Sequence, residues 1–260
     1  LTNSAAVTGN RSVGGIAGYF SGKNQATGKD MADCQNEGLI LSSTAADNDS
    51  LAGHYIGGIV GYAHNASLSE CRSRAGYADG YTYKQEDRDE LRGRYVGGIV
   101  GYSSFGTVAN CANTGTVTAY NFNIVTQPNT QKNAGGILGN CSAATVTDCV
   151  NFGTVTCDKD QAGGIVGYMT VSSEVGSLTR CLNAGSVSGG NNFLCGAIMG
   201  NTVTSAATRM TNFSACLYDN QMISTTQLAA NGVTAGMEGI VPVTTTALTG
   251  SATLDLLNTW

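Results

Sequence analysis

The hexapeptide GGIVGY stands at residues 57–62, again at 97–102 and again at 163–168, three identical copies in a chain of 260 residues. Half of it is glycine. Such a sextet can cradle a phosphate, seat one membrane helix against another, or turn a corner in a repeating architecture. No helical pattern follows any copy, so no helix N-terminus is aimed at an anion. The Gly-x-x-x-Gly spacing lies in no apolar stretch long enough to span a membrane. The corner remains, and the neighbouring residues bear it out.

Aligned on the first glycine, six units appear, the others beginning at Gly14, Gly135 and Gly196, with separations of 43, 40, 38, 28 and 33 residues. A period in this range marks stacked repeats. Each unit continues to a cysteine: Cys34, Cys71, Cys111, Cys149, Cys181 and Cys216. Three residues before it stands an apolar side chain (Met31, Leu68, Val108, Val146, Leu178, Phe213). Two residues after it comes Asn36, Ser73, Asn113, Asn151, Asn183 or Tyr218, and glycine and an apolar residue follow at further steps of two in most units. Asn3, Ala5 and Val7 match the tail of a unit whose cysteine would precede Leu1, so the chain is expected to begin inside a repeat.

Residues at steps of two share one face of an extended chain. The shortest unit, 135–162, therefore reads as three strands, at 136–140, 145–149 and 153–157. Three strands in so short a unit, repeated, predict an all-β fold, a parallel β-helix or β-solenoid, whose coils stack about 4.8 Å apart and are right-handed. Equivalent residues then form ladders. Cys34, Cys71, Cys111, Cys149, Cys181 and Cys216 make one column, packed as small hydrophobes and mostly reduced, since their side chains point in parallel. Asn36, Asn113, Asn151 and Asn183 make another, where each amide bonds its neighbours. Cys141, Cys157 and Cys195 lie outside the ladder, and a bridge among them stays open.

Bulk composition agrees. Charged residues are only 12%, the apolar fraction is 42%, and the net charge is −5 with a pI near 4.9. That balance excludes a basic nucleic-acid surface. There is no CxxC pair among the nine cysteines, which excludes zinc ribbons and thioredoxin-like sites.

GGIVGY, the following Cys111-x-Asn113-x-Gly115-x-Val117, and the closing CLYDNQ at 216–221 resemble the GLUG repeat, over roughly residues 1–221. GLUG repeats occur in bacterial surface and secreted proteins, often adhesin-like, and beside IgA-specific metallopeptidases. The resemblance implies an extracellular β-solenoid on a bacterial cell surface and no catalytic activity. Two places depart from the pattern, CRSRA at 71–75 and the unit at Gly196, and distorted coils are expected there. The tail at 245–260 looks like the segment that often follows such repeats. Residues 1–221 are thus read as a solenoid of about six coils and 222–260 as a C-terminal cap. SATLDLLNTW at 251–260 supplies the cap with a short amphipathic helix near 251–259.

Chemistry is sparse. His54 and His64 flank a sextet without any HExxH spacing and read as loop residues. Neither a GxSxG elbow nor a nucleophile–base pair is present, so no enzyme, cofactor or metal is expected. The acidic triplet Asp47-Asn48-Asp49 lacks a calcium-loop pattern. Thr-x-Thr pairs at 116/118, 145/147 and 154/156 place threonines outward as in ice-binding solenoids, but other coils carry Ser186/Ser188, Leu39/Leu41 and Gly76/Ala78 instead.

The best candidate ligand feature is the insert YKQEDRDELRGRY at 83–95, with Tyr81, Tyr83, Asp87, Asp89, Glu90 and Tyr95 as its contact residues. Tyr77 falls on the inward column. The inserts at 20–31, 41–55 and 120–133 offer further loops. The expected function is therefore a non-catalytic adhesin, or a rigid spacer presenting binding loops. Its partners would be a host or matrix glycan or protein, with no nucleic acid and no membrane span. A subunit stacking end to end with copies of itself into a filament is the alternative; a carbohydrate-active enzyme with a loop cleft is the third.

Overall fold

The computed structural model describes residues 1–9, 11–22, 30–42, 55–74, 95–119, 132–157, 160–171, 176–189, 195–205, 207–208, 212–223 and 239–248. These residues form an all-β, β-helix-like structure. Helix is almost absent, Thr245–Leu248 being a single turn. Every strand pairing among the described residues is parallel, and nearly every one joins equivalent segments of successive repeats.

Three larger sheets carry the repeat. One holds the approach to the sextet: Ser12–Gly14, Tyr55–Gly57, Tyr95–Gly97, Asn133–Gly135, Gln161–Gly163 and Cys195–Gly196, with the first glycine of each sextet in register. The next, of ten strands, holds the exit from it, including Ala17–Ser21, Val60–Ser69, Val100–Ala109, Leu138–Ser142, Val166–Thr170 and Met199–Thr202. A third joins Thr2–Asn3, Gln35–Asn36, Arg72–Ser73, Ala112–Asn113, Val150–Asn151, Leu182–Asn183, Cys216–Asp219 and Ile240–Val243. Smaller sheets follow: Val117–Ala119, Val155–Cys157 and Val187–Gly189, and the pair Val7–Gly9 and Ile40–Ser42.

The glycines of the sextet make the expected corner, but it lies between two strands, and the strand expected from 136 starts later. Gly135 ends Asn133–Gly135, residues 136–137 bend, and Leu138–Ser142 begins. With a second break before each ladder cysteine, the unit beginning at Asn133 has five short strands rather than three. That second break has a common cause. Asp33, Glu70, Asn110, Asp148, Arg180 and Ala215, each one residue before a ladder cysteine, have φ between 51° and 57°. This left-handed conformation is unfavourable for any residue but glycine and tolerable for Asn and Asp. It turns the chain so that each thiol donates to the carbonyl two residues back, at 3.2–3.4 Å.

The interior is a set of apolar columns. Ile59, Ile99, Ile137, Ile165 and Ile198 of the sextets are fully buried, as are Leu68, Val108, Val146 and Leu178. Burying a side chain of this size contributes about 1.5–3 kcal/mol. All nine cysteines are buried and free of disulfides. Burial pushes the Cys141 thiol up to about 12 and the Cys195 thiol up to about 11. In Cys71 the adjoining Cys111 thiol contributes most, ahead of burial.

The asparagines line the same interior and satisfy one another. Asn113 Nδ2 donates to Asn151 Oδ1, and Asn151 Nδ2 to Asn183 Oδ1, both at 2.9 Å. Each also clasps its own chain: Asn151 Nδ2 donates to the Gly153 carbonyl at 2.9 Å, and Gly153 N–H donates back to Oδ1 at 3.2 Å. Asn151 thereby uses both donors and both acceptor sites of its amide. Asn3 and Asn36 are joined likewise at 2.8 Å. Ser73 interrupts the ladder between Asn36 and Asn113. Its strand nevertheless keeps register on both sides, and so do the strands at Gly196 and Met199, so the distortion expected at these two units is not found.

The ladder explains the glycines. In the copy at 97–102, a Cβ on Gly98 would overlap the Gly136 carbonyl and the Asn113 amide. On Gly97 it would overlap the Val100 carbonyl and the next unit, and on Gly101 the backbone of Ile56 and Gly61 in the preceding unit. Two glycines let the next repeat approach; the third admits the previous one.

At the C-terminal side, Ile240–Val243 pairs with Cys216–Asp219, and Asp219 accepts from Gln221 N–H at 2.9 Å and Thr245 Oγ1 at 2.6 Å. Pro242 suits an edge strand, having no N–H to offer a further partner. The helix expected near 251–259 lies outside the described residues.

Candidate binding surface

The parallel register sets the side chains that flank each sextet in rows, exposed or half-buried in most units and buried at Asn133, Asn140 and Gln161. Three positions matter: two residues before the sextet, its last residue, and two residues beyond it. Successive units present Ser12, Tyr19 and Ser21; then Tyr55, Tyr62 and His64; then Tyr95, Tyr102 and Ser104; then Asn133, Asn140 and Ser142; then Gln161, Tyr168 and Thr170. Asn201 continues the middle column.

The first three rows form an aromatic cluster. Tyr19 meets Tyr62 edge to face with ring centroids 5.1 Å apart, and Tyr62 meets Tyr102 likewise at 5.1 Å. Tyr55 lies 5.3 Å from Tyr62, 5.4 Å from Tyr102 and 5.7 Å from Tyr95. Rings in this range and orientation attract through their quadrupoles, about 0.5–1.5 kcal/mol a pair beyond area burial. Tyr19 remains 58% exposed, and the other four rings are half-buried. Burial, then neighbouring Tyr62, Tyr55 and Tyr95, push the Tyr102 phenol up to about 12. Burial also raises Tyr62, against a lowering hydrogen bond from Ser104.

Further along, the same columns turn to amides. Asn133 and Gln161 are buried, and the Asn133 amide has no partner at either Nδ2 or Oδ1. Seven buried side-chain polar atoms lack a partner among the described residues, and five of them belong to these three columns: His64 Nδ1, both Asn133 atoms, Gln161 Oε1 and Asn201 Oδ1. None of the rows contains a Lys, Arg, Asp or Glu.

Of the residues expected from sequence to contact a ligand, Tyr95 belongs to this surface, beside Tyr55 and Tyr102. Tyr81, Tyr83, Asp87, Asp89 and Glu90 lie outside the described residues, as do Tyr77, His54 and Asp47–Asp49. His64 is not a loop residue but part of the strand Val60–Ser69, with Asn65 Nδ2 3.3 Å from its Nε2. Thr118 is buried, not outward, which removes one member of the threonine pairs. The cluster itself escaped the sequence reading because the units were aligned downstream of the sextet only; Tyr55 and Tyr95 recur at a fixed offset upstream of it.

No curated protein matches the chain. Among solved structures, the crystal structure of a candidate immunoglobulin A1 protease from Bacteroides ovatus is similar, with a TM-score of 0.50 and 16% identity over 100% of this chain and 69% of that one. At that identity the likeness concerns the fold alone. Among protein families, the GLUG motif matches residues 93–118, a span that runs from Tyr95 through the second exact sextet to Cys111, Asn113 and Val117. The chain carries the GLUG motif.

Proposed function

We propose that residues 1–221 form a right-handed β-solenoid of about six coils, closed by a cap in 222–260, that works as a non-catalytic adhesin on the outside of a bacterial cell. In-register parallel pairing across successive repeats supports the coil, and the GLUG motif supports an extracellular setting. The observation that carries the binding role is the tyrosine cluster, Tyr19, Tyr55, Tyr62, Tyr95 and Tyr102, on one outer face. A rigid stack of strands holds these rings at fixed spacing, so little side-chain freedom is lost when a partner docks. Tyr81, Tyr83, Asp87, Asp89 and Glu90, which precede Tyr95 in sequence, remain expected contact residues.

A non-catalytic reading is supported by the makeup of the rows, which carry hydroxyls, amides and rings rather than paired carboxylates. Asp148 and Arg180, adjacent on neighbouring units, are engaged with each other: Arg180 Nε and Nη2 donate to the two Asp148 oxygens at 2.7 and 2.6 Å. That contact holds the Asp148 carboxyl below its ordinary range.

Binding of the purified chain to immobilised matrix proteins, host cells and a glycan array tests the role. The adhesin reading expects retention that Tyr19→Ala and Tyr102→Ala each weaken. Absence of binding to any of these surfaces would leave a spacer.

A further inference from the structure

We infer that the outer face binds a neutral glycan, laid along the stack of repeats across the three columns. This rests on the adhesin reading and names its ligand class. Two independent features lead there. The first is the run of accessible side chains along one face: aromatic at Tyr19, Tyr55, Tyr62, Tyr95 and Tyr102, then hydroxyl, phenol and amide at Ser142, Tyr168, Thr170 and Asn201. A pyranose has apolar C–H faces that pack on aromatic rings and a rim of hydroxyls that both donate and accept. Amides and hydroxyls match that rim because they too do both.

The second is unfilled hydrogen-bonding capacity. His64 Nδ1 and Asn201 Oδ1, on half-buried side chains of this face, have no partner, whereas the asparagine ladder on the inside leaves none of its amides so. An unpaired buried polar atom costs about 1–3 kcal/mol, so a ligand hydroxyl that satisfies it gains against water-exposed surface.

Charge narrows the class. A glycan bearing uronate, sulfate or sialate calls for Lys or Arg, and the described rows hold neither. Recognition through stacking and neutral hydrogen bonds is also insensitive to salt.

Affinity electrophoresis of the whole chain through gels containing neutral polysaccharides (β-glucan, mannan, galactan) or acidic ones (polygalacturonate, hyaluronate, heparin), at low and high salt, tests this. The inference expects retardation by at least one neutral glycan, unchanged by salt. Tyr62→Ala and Tyr102→Ala should each weaken it about tenfold, Tyr62→Phe should preserve it, and His64→Ala and Asn201→Ala should weaken it about threefold. Circular dichroism of each variant separates lost binding from lost fold. Preference for acidic glycans with loss at high salt would overturn the neutral ligand and leave the adhesin reading standing. So would binding to matrix protein with no glycan retained. Neutral-glycan binding untouched by all four alanine variants would overturn the assignment of this face. Failure to bind any glycan or protein would remove both readings.

Discussion

The inside and the outside of the stack are built from the same repeats, yet they obey different rules. Inside, Asn113, Asn151 and Asn183 recur with every hydrogen-bonding site of the central amide used, and the glycines against them admit no side chain. Outside, at positions equally fixed by register, Ser12 gives way to Tyr55, and Tyr168 to Asn201. Sterics and buried polar groups constrain the first set; nothing in the packing demands tyrosine in the second. Repetition of an interior residue therefore reports architecture. Variation of an outward one marks where the repeats have been put to use.

The contrast breaks first at the glycines. Gly98→Ala drives a methyl into the Gly136 carbonyl and the Asn113 amide, neither of which can retreat without parting two repeats. It should cost more than about 3 kcal/mol, enough to prevent recovery of folded protein, and thermal unfolding measures this. Asn151→Ala comes next. It orphans Asn113 Nδ2, Asn183 Oδ1 and the Gly153 peptide groups, for about 3 kcal/mol, read as a lower urea midpoint. Tyr19→Ala removes an exposed outer ring that meets Tyr62 edge to face and should cost about 1 kcal/mol or less, with its main effect on binding.

Two smaller effects sharpen the comparison. Ala215 holds a left-handed φ of 53° with no side-chain hydrogen bond to favour it, so Ala215→Gly should raise stability by about 1 kcal/mol. Tyr102 ionises near 12 in the folded chain, above the ordinary tyrosine value of about 10. Its raised value means the folded state holds the proton longer. The stability this contributes is complete below about pH 10 and is lost as pH rises toward 12. Tyr102→Phe should shrink the alkaline fall, followed by circular dichroism.

Much of the fold was legible because its strongest constraints repeat: the sextet, the cysteine and the asparagine each announce themselves six times or nearly so. The corner before each cysteine was not legible, since Asp33, Glu70, Asn110, Asp148, Arg180 and Ala215 share a backbone conformation but no side-chain chemistry. Strand boundaries moved for the same reason. The binding surface was half visible. Tyr95 stands out in sequence for its place in a charged insert, whereas its neighbours in space are Tyr55, 40 residues earlier and joined by the register, and Tyr102, across the corner of its own sextet. Period-two alternation fixes which residues face outward, but which outward columns adjoin depends on how tightly the Gly-Gly corner turns.

Equilibrium urea unfolding of Asn151→Ala and Tyr19→Ala, side by side with the unsubstituted chain, tests the division most directly. The asparagine variant should lose about 3 kcal/mol and the tyrosine variant about 1 kcal/mol or less. Equal losses, or a larger loss from the tyrosine, would show that the outer face is part of what holds the repeats together and would contradict the account.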